Sequence, residues 1–452
     1  MSWRGTIPAV LVVCMVVIVS LVARFEPSSA TGSTAVPNVV TADIQAGIEK
    51  HIEEQTRLGN GYFTLAFDDG QLRLKLVRVH TEYLANLGPR HHFACVDLAS
   101  TDGDVYDVDF FLAGDPGAMT VTETTVHKVN GQPLYVWKQK RNKTWHRVPA
   151  EGAAPELLGV LTGRDEFEFL YRTMLPEITG DARMWIPLPT TDAFQTVEVE
   201  SIDAPGRRQV LTEQKHGNKI LFLELGPQDS NKTISLRFHV QRQEKGVYID
   251  DATDPNRYLE PEQFVPSNET FSEIAEKVVA GKTGDLVRAR ALYDHVIERM
   301  RYAKFGSVWG QGDAVYACDA GNGNCTDFHS YFIALARAVG IPARFAIGAA
   351  IPSSRNDGGV DGYHCWAEFY TDGHWWPVDI SEADKCAALD TYYFGRHPAN
   401  RVEFSRGRDL VVEPGPTSGP INFLAYPVLE IAGQPVKPKI QFTFTRPALA
   451  AR

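Results

Sequence analysis

The sequence has few basic residues relative to acidic ones and lacks common metal-binding motifs, which argues against several classes of function. Lysine and arginine number 45 against 56 aspartates and glutamates, for a net charge of −11, so a nucleic acid is not an expected partner. The sequence has no His-Glu-x-x-His segment and no paired Cys/His spacing typical of zinc sites, which disfavours a metal-dependent hydrolase. No internal repeat is found. The composition, 44% hydrophobic and 22% charged, is that of an ordinary globular protein, and 452 residues suffice for two to four domains.

A long hydrophobic run lies at the N-terminus. Residues 7–23 are apolar and are bracketed by Arg4 and Arg24. The run is longer than most signal-peptide cores and slightly shorter than a typical membrane span. We therefore expect residues 1–37 to be a signal peptide, cleaved after the small residues at 28–30, or an uncleaved membrane anchor, followed by a linker. In both cases the protein is expected to be exported, as a periplasmic or extracellular protein or one held at the membrane by this segment.

Cysteine is scarce, and its count constrains the redox state. One of the six cysteines, Cys14, lies in the N-terminal run, and the others are Cys95, Cys318, Cys325, Cys365 and Cys386. An odd number in an oxidising compartment leaves at least one thiol free, which suits Cys325. The other four permit three disulfide pairings among which spacing does not choose, and free buried cysteines are the alternative.

Alternating segments and turn signals divide the rest of the chain into four parts. Residues 40–150 combine a helix with strands punctuated by Asp-Gly and Asn-Gly, which predicts a small α+β domain of cystatin-like type. Residues 160–245 consist mainly of strands with Pro/Gly turns and predict a β-sandwich-like domain. Residues 246–415 mix helices and strands, and residues 416–452 are a proline-rich C-terminal β extension. The predicted fold class is α+β.

The most informative segment is GNGNCTDFHSYFIALARAVG, residues 321–340. Its apolar residues recur at helical spacing, Asn324 and Asp327 suit a capping-box pair at the helix start, and Gly340 ends the helix. Cys325 then lies in the first turn on the buried face. The helix dipole and the free backbone N–H groups at this position favour the thiolate, the nucleophilic form of cysteine.

A nucleophilic cysteine needs a base and a group that orients the base, and both residue types occur downstream. His364 and Asp379 lie in two predicted strands joined by a turn at Thr371-Asp372-Gly373. A two- or four-residue loop places the imidazole and the carboxylate on one face of the hairpin, whereas a three-residue loop separates them. In the first case His364 takes the proton of Cys325, and Asp379 fixes the orientation of the ring.

The groups that would hold an oxyanion are less well defined by the sequence. The backbone N–H of Cys325 is the first candidate, because it lies at the helix start. The second candidate is a side chain of the upstream loop, Trp309, Gln311 or Tyr316, each of which could equally be a packing residue. His329 falls beside the apolar stripe of the helix, and we expect it to be partly exposed. The alternative is that it supports the site residues from behind.

Three blocks in this order, GNCTDFHSYFIALARAVGIPARF, GYHCWAEFY and WWPVDIS, resemble the transglutaminase-like superfamily. The resemblance covers roughly residues 260–400 and implies a papain-like core with Cys325 as nucleophile, His364 as base and Asp379 as orienting acid. The region before it is similar to the β domain often found ahead of bacterial members. The sequence lacks the calcium-linked domain layout of the animal cross-linking enzymes.

The resemblance implies a cysteine enzyme that acts on amide carbonyls of proteins or peptides through a thioester, without a metal or an organic cofactor. Hydrolysis is narrowly favoured over amine transfer, because transfer needs a dry site that Trp309, Trp366, Trp375 and Trp376 would have to wall. The expected partner is a protein or peptide substrate. The alternative is a non-enzymatic cell-envelope interaction protein that keeps the papain-like fold as a scaffold.

Overall fold

The structure, a computed structural model, describes residues 39–67, 70–139, 145–150, 159–304, 308–386 and 389–447. The hydrophobic run at 7–23, the small residues at 28–30 and Cys14 lie outside these residues, so the predicted signal peptide or anchor stays a prediction. Among the described helices, none is both long enough and apolar enough to cross a bilayer.

The N-terminal region consists of one helix packed on an antiparallel sheet. Its elements are α1 (Thr41–Leu58), β1 (Phe63–Phe67), β2 (Gly70–Val79), β3 (Ala85–Gly88), β4 (His91–Ser100), β5 (Val105–Ala113), β6 (Thr120–Val129) and β7 (Gln132–Pro133), followed by a hairpin of β8 (Tyr135–Gln139) and β9 (Trp145–Pro149). The sheet runs β1-β2-β4-β5-β6-β7, with β3 beside β4. Ile44, Ile48 and Ile52 recur every fourth residue of α1, so they form one buried stripe that packs with Ala94 and Val96 of β4.

Six long strands follow and build the centre of two further sheets. They are β10 (Arg164–Met174), β11 (Ala182–Leu188), β12 (Gln195–Asp203), β13 (Arg207–Thr212), β14 (Lys219–Leu225) and β15 (Thr233–Gln243). Burial alternates along β10 and β15, and Phe169 is directly opposite Phe238 across the pair. One face of this sheet is therefore part of the hydrophobic core and the other faces solvent, as in a β-sandwich.

The next region surrounds a buried helix. Its elements are α2 (Glu269–Val279), α3 (Asp285–Arg299), β16 (Arg301–Tyr302), α4 (Ala314–Ala320), β17 (Asn322–Gly323), α5 (Cys325–Ala338), β18 (Ala343–Ala350), β19 (Asp357–Val360), β20 (His364–Thr371), β21 (His374–Val378), α6 (Ile380–Lys385) and β22 (Arg401–Arg406). Four of the strands form an antiparallel sheet in the order β21-β20-β18-β22. Helix α5 packs against this sheet and is covered by α2, α3, α4 and α6, so every residue from Cys325 to Ala336 is buried.

The last three strands return to the sandwich. They are β23 (Val428–Ile431), β24 (Gln434–Val436) and β25 (Lys439–Thr445). β25 lies between β10 and β19, and β23 pairs with β11, which gives two five-stranded sheets, β12-β15-β10-β25-β19 and β13-β14-β11-β23-β24. Strands that are far apart in the sequence thus complete each sheet, and the fold is a mixture of helices and antiparallel sheets of the α+β class.

The five described cysteines are all free. Cys95, Cys318, Cys325 and Cys365 are buried, and Cys386 is half-buried. None of the three disulfide pairings considered from the sequence is formed, so the alternative of free cysteines describes this structure.

Candidate active site

Cys325 is the first residue of α5, and the local sequence determines where this helix begins. The side chain of Asn324 accepts a hydrogen bond from the Thr326 N–H at 3.0 Å, and Asp327 accepts one from the Asn324 N–H at 3.0 Å. This reciprocal capping, predicted from the sequence, leaves the sulfur of Cys325 at the positive end of the helix dipole. Cys325 is 1% exposed.

Cys325 has a second cysteine, Cys365, as its neighbour. Burial by itself would raise the pKa of Cys325, but hydrogen bonds from Cys365 and His364, together with the charge of His364, hold it well below its ordinary value. Burial, followed by the bond to Cys325, raises the pKa of Cys365 well above its ordinary value. Of the two sulfurs, Cys325 therefore carries the negative charge and Cys365 stays a thiol.

The hairpin of β20 and β21 brings His364 and Asp379 together. The strands are joined by the two-residue turn Asp372-Gly373, in which both residues have positive φ, 52° and 82°. A two-residue turn is one of the two loop lengths predicted to place His364 and Asp379 on the same face of the hairpin. His364 Nε2 lies 2.7 Å from Asp379 Oδ2.

His364 is positively charged at neutral pH. Burial lowers the pKa of His364, but the charge of Asp379 and the hydrogen bond to it raise that pKa to about 9. Because Nε2 is bonded to the carboxylate, Nδ1 is the ring nitrogen left for the sulfur of Cys325. The arrangement is a thiolate beside an imidazolium that a carboxylate orients.

Asp379 is held by more than His364. Its side chain also accepts hydrogen bonds from Arg401 Nη2 at 2.7 Å, Ser381 Oγ at 3.0 Å and the Glu382 N–H at 3.1 Å. Burial would raise the pKa of Asp379, but the charges of His364 and Arg401 hold it well below its ordinary value. Sequence reasoning missed Arg401, because it lies 22 residues beyond Asp379 on another strand and no local pattern marks it.

The prediction that His329 is partly exposed is wrong. The residue is 0% exposed, because the face of α5 on which it lies is covered by the segment that begins α6. His329 Nε2 accepts from the Ile380 N–H at 3.0 Å, so Nδ1 carries the proton and donates to the Cys325 carbonyl at 2.7 Å. His329 Nε2 also lies 3.7 Å from Asp379 Oδ1. The imidazole therefore connects the first turn of the cysteine helix to the segment that carries Asp379.

The side chains considered as oxyanion donors are in different places. Gln311 has an exposed side chain. Tyr316 is in α4 and donates its hydroxyl proton to Asn322 Oδ1 at 3.1 Å. The half-buried Trp309 ring lies 5.5 Å from Lys304 Nζ. Their roles in holding an oxyanion stay predictions.

Two other side chains contact each other near Cys325: Asn324, predicted only as a helix cap, and Tyr363, which sequence reasoning missed. Asn324 Nδ2 donates to the Tyr363 hydroxyl at 2.9 Å, and that hydroxyl lies 3.3 Å from the Gly310 carbonyl. Burial and, after it, the negative charge of Cys325 raise the pKa of Tyr363. The hydroxyl of Tyr363 therefore stays protonated near the sulfur. Their positions, directly before Cys325 and directly before His364, are the signal that could have indicated them.

Comparison with known proteins identifies the domain that carries this site. Residues 272–380, which include Cys325, His364 and Asp379, match the sequence model of the Transglutaminase-like superfamily. These residues form a transglutaminase-like domain. An uncharacterized protein of Haemophilus influenzae is 27% identical over 319 residues, which cover 60% of this chain and 86% of that relative.

Two solved structures resemble parts of the chain. A protein of Cytophaga hutchinsonii, described as a candidate cysteine protease, is 17% identical with a TM-score of 0.44, over 64% of this chain and 93% of that one. The periplasmic domain of TgpA from Pseudomonas aeruginosa is 14% identical with a TM-score of 0.28, over 54% of this chain and 99% of that one. At these TM-scores the two structures carry no functional argument, and the family match is what supports a cysteine-enzyme type of fold for the transglutaminase-like domain.

The ion pair predicts an unusual pH dependence of stability. The raised pKa of His364 stabilises the fold fully below the unfolded value of 6.5, and this contribution is lost as the pH rises toward about 9. In the wild-type protein Cys325 has already released the proton that His364 holds, so folding takes up no net proton in this range. We expect Cys325→Ala to reveal the loss of stability between pH 6.5 and 9. It should be at most on the order of 2–3 kcal/mol, because the bond to Cys325 is one of the causes that raise the pKa of His364.

Urea unfolding at several pH values measures this effect as the difference between the wild-type protein and Cys325→Ala. His80, whose pKa is also raised to about 9, contributes equally to both proteins and cancels in that difference. Parallel stability curves for the two proteins would show that Cys325 and His364 do not share a proton.

Proposed function

We propose that this protein is an exported cysteine enzyme that cleaves amide bonds of proteins or peptides through a thioester on Cys325. The observation that carries the proposal is the 2.7 Å contact between His364 and Asp379, beside a sulfur whose pKa is lowered. An activated nucleophile, a base and a group that orients the base are the requirements of acyl transfer by cysteine. The apolar run at residues 7–23 supports export.

In the first half of the reaction, the Cys325 thiolate attacks the carbonyl carbon and forms a carbon–sulfur bond. The negative charge moves to the carbonyl oxygen, which the Cys325 backbone N–H at the start of α5 can stabilise. His364 then donates its Nδ1 proton to the leaving nitrogen as the carbon–nitrogen bond breaks. The products are a thioester on Cys325, a free amine and a neutral His364.

In the second half, a nucleophile attacks the thioester. Neutral His364 removes a proton from the attacking water or amine, and the carbon–sulfur bond breaks to restore the thiolate and the imidazolium. Asp379 stays ionised throughout and orients the ring, since Arg401 neutralises its charge. No metal or organic cofactor is needed for these steps.

Hydrolysis remains the favoured outcome over amine transfer. Transfer requires that water be excluded, and three of the four tryptophans considered for a dry wall belong to the protein core. Trp366 and Trp375 are both 0% exposed, and Trp376 stacks on Phe369. Of the four, the half-buried Trp309 is left for such a wall.

One experiment tests the proposal and separates the two outcomes. The protein is incubated with a glutamine-containing peptide library and a labelled primary amine, and the products are identified by mass. Peptide cleavage or a glutamate product indicates hydrolysis, whereas a labelled peptide indicates transfer. Cys325→Ala is the matched control. If neither product forms, or if both form equally with Cys325→Ala, the enzyme proposal fails.

The second candidate is a cell-envelope scaffold protein, favoured by the deep burial of Cys325 and His364, which are only 1% and 6% exposed. A scaffold requires no reactive thiol. Iodoacetamide labelling between pH 5 and 9 distinguishes the two candidates. Labelling of Cys325 that stays fast at pH 6 supports the enzyme, and labelling that rises only near the ordinary cysteine pKa of about 8.5 supports the scaffold.

His329 is predicted to be a positioning residue. His329→Ala removes the connection between the Cys325 carbonyl and the Ile380 N–H. The distance between the Cys325 sulfur and the His364 ring is then less well controlled. We expect a decrease in kcat of roughly 10–100-fold, with little change in KM, because small displacements in an active site have large effects on rate.

His295→Ala is the control for His329→Ala, since His295 is a half-buried helix histidine that contacts Tyr331. It should retain wild-type kcat. An unchanged kcat for His329→Ala, or a change in KM without a change in kcat, would contradict the positioning role.

A further inference from the structure

Five arginines are buried in the described part of the chain, and they differ in how their charge is compensated. Arg290, Arg344 and Arg401 each form ion pairs with carboxylates. Arg408 donates from all three of its nitrogens to carbonyl, amide and hydroxyl oxygens. Arg242, which is 1% exposed, has neither kind of compensation. A buried charge without a partner is costly, which calls for an explanation.

The guanidinium of Arg242 is satisfied on one side only. Its Nη1 donates to Gln195 Oε1 at 2.8 Å, whereas Nε and Nη2 have no hydrogen-bond partner. These two nitrogens lie on one edge of the guanidinium, where their N–H bonds are parallel and match the two oxygens of a carboxylate. The acids that act most on its pKa, Glu403 and Asp192, are bonded to Arg406 instead, although Glu403 Oε2 has no hydrogen-bond partner.

Arg242 lines an open pocket of about 780 Å³ at the end of β10, β12 and β15. The acids in the pocket wall are already partnered: Asp165 by Arg446, Asp192 by Arg406, and Glu166 by His239. The pocket wall also contains Arg164 and uncharged polar side chains, among them Gln241, Gln243 and Asn356. Arg242 is therefore the buried cation of this pocket wall that no carboxylate contacts within hydrogen-bond distance.

The same pocket shows how a guanidinium edge is filled. Arg446 donates from Nε and Nη2 to the two carboxylate oxygens of Asp165, both at 2.8 Å. Arg242 presents the corresponding pair of nitrogens with no carboxylate in front of them. The difference between two arginines lining one pocket indicates a place for a carboxylate that the described chain does not supply.

We propose that this pocket is a binding site for a carboxylate, which Arg242 holds through Nε and Nη2, with the side-chain amides of Gln241 and Asn356 in the pocket wall available to neighbouring amide groups. A peptide C-terminus and a small organic acid both supply such a group. The site shares no residue with the one around Cys325, so it does not depend on the proposed catalytic function.

Isothermal titration calorimetry with the full chain tests the site. The probes are N-acetyl-trialanine with a free carboxylate, the same peptide as its carboxamide, acetate, and inorganic phosphate. We expect the carboxylate peptide to bind at least about tenfold more tightly than the carboxamide, the effect of one bidentate charged contact. Binding of acetate as tightly as the peptide assigns the site to small acids, and tighter binding of the peptide assigns it to a C-terminus.

Arg242→Gln should remove the preference for the carboxylate over the carboxamide. Arg237→Gln, on the exposed face of the same strand, should keep it. If Arg242→Gln does not fold, Arg242→Lys is used instead. Lysine retains the charge but lacks the two parallel N–H groups of the guanidinium edge, so this variant should lose most of the tenfold preference. Equal binding of carboxylate and carboxamide, an unchanged preference in the folded Arg242 variant, or Arg242-dependent binding of phosphate alone would each overturn the proposal.

Discussion

Replacing His364 with alanine is expected to lower the rate of thioester formation by roughly 10²–10⁴-fold, the usual contribution of a positioned general acid–base. Two effects combine in this variant. The leaving nitrogen loses its proton donor, and Cys325 loses the charge and hydrogen bond that act against the effect of burial on its pKa. With burial then the largest influence, the pKa of Cys325 should move upward, and the thiol should be protonated at neutral pH. Single-turnover acylation and iodoacetamide labelling from pH 5 to 9 measure the two effects separately.

His374→Ala is the matched control for His364→Ala. His374 begins the partner strand of the same hairpin, and its Nδ1 lies 2.7 Å from the Asp372 carbonyl in the turn. It should leave the acylation rate and the labelling profile unchanged. If His364→Ala retains wild-type acylation, or if its Cys325 still reacts rapidly at pH 6, another group controls the sulfur.

Replacing Arg401 with methionine is expected to lower the free energy of unfolding by roughly 3–5 kcal/mol, because the change removes one partner of a buried ion pair. Arg401 is 2% exposed, and its Nη2 lies 2.7 Å from Asp379 Oδ2. Methionine fills similar space but leaves the carboxylate with one cationic partner, His364. Urea unfolding at pH 7 measures the loss.

The same substitution should also affect Cys325. The wild-type site contains two negative charges, on Cys325 and Asp379, and two positive charges, on His364 and Arg401. Without Arg401 the site has one excess negative charge, so protonation of the sulfur becomes more favourable and its pKa should rise. Reduced labelling of Cys325 at pH 6 would report this rise even in a variant that is only moderately destabilised.

Arg207→Met is the control for Arg401→Met. Arg207 pairs with Glu224 at 3.7 Å on an exposed strand, with 87% of its side chain accessible. An exposed pair of this kind is screened by water and contributes little, so we expect a change within about 0.5 kcal/mol. A comparably small effect for Arg401→Met would mean that Asp379 does not depend on Arg401.

The sequence predicted the parts of the site that depend on near neighbours along the chain. The capping of α5 involves Asn324 and Asp327, three residues apart, and the register of the β20–β21 hairpin depends on the turn at Asp372-Gly373. Both are recognisable because turns and caps demand particular residues at particular offsets. The pairing of His364 with Asp379 was predicted on condition of a two- or four-residue loop, and the structure has the two-residue turn.

The buried partners of these residues could not be predicted in the same way. Whether His329 is exposed depends on what covers α5, and the covering segment at Ile380 lies 51 residues away. Arg401 occurs on β22, and nothing near it in the sequence indicates that its charge belongs to Asp379. The strand order of the β-sandwich is another example. β25 lies between β10 and β19 although some 265 residues separate it from β10.

The sequence by itself therefore determined where the helix of Cys325 begins, which hairpin follows it, and the order of the cysteine, histidine and aspartate that we propose for acyl transfer. Only the tertiary structure decided which distant side chains support them, with Arg401 bonded to Asp379 and His329 buried between the helix and α6. It also placed Arg242 beside a separate open pocket. The physical reason is range. Caps and turns are short-range interactions within a few residues, whereas burial and charge compensation depend on distant segments that meet only when the chain is folded.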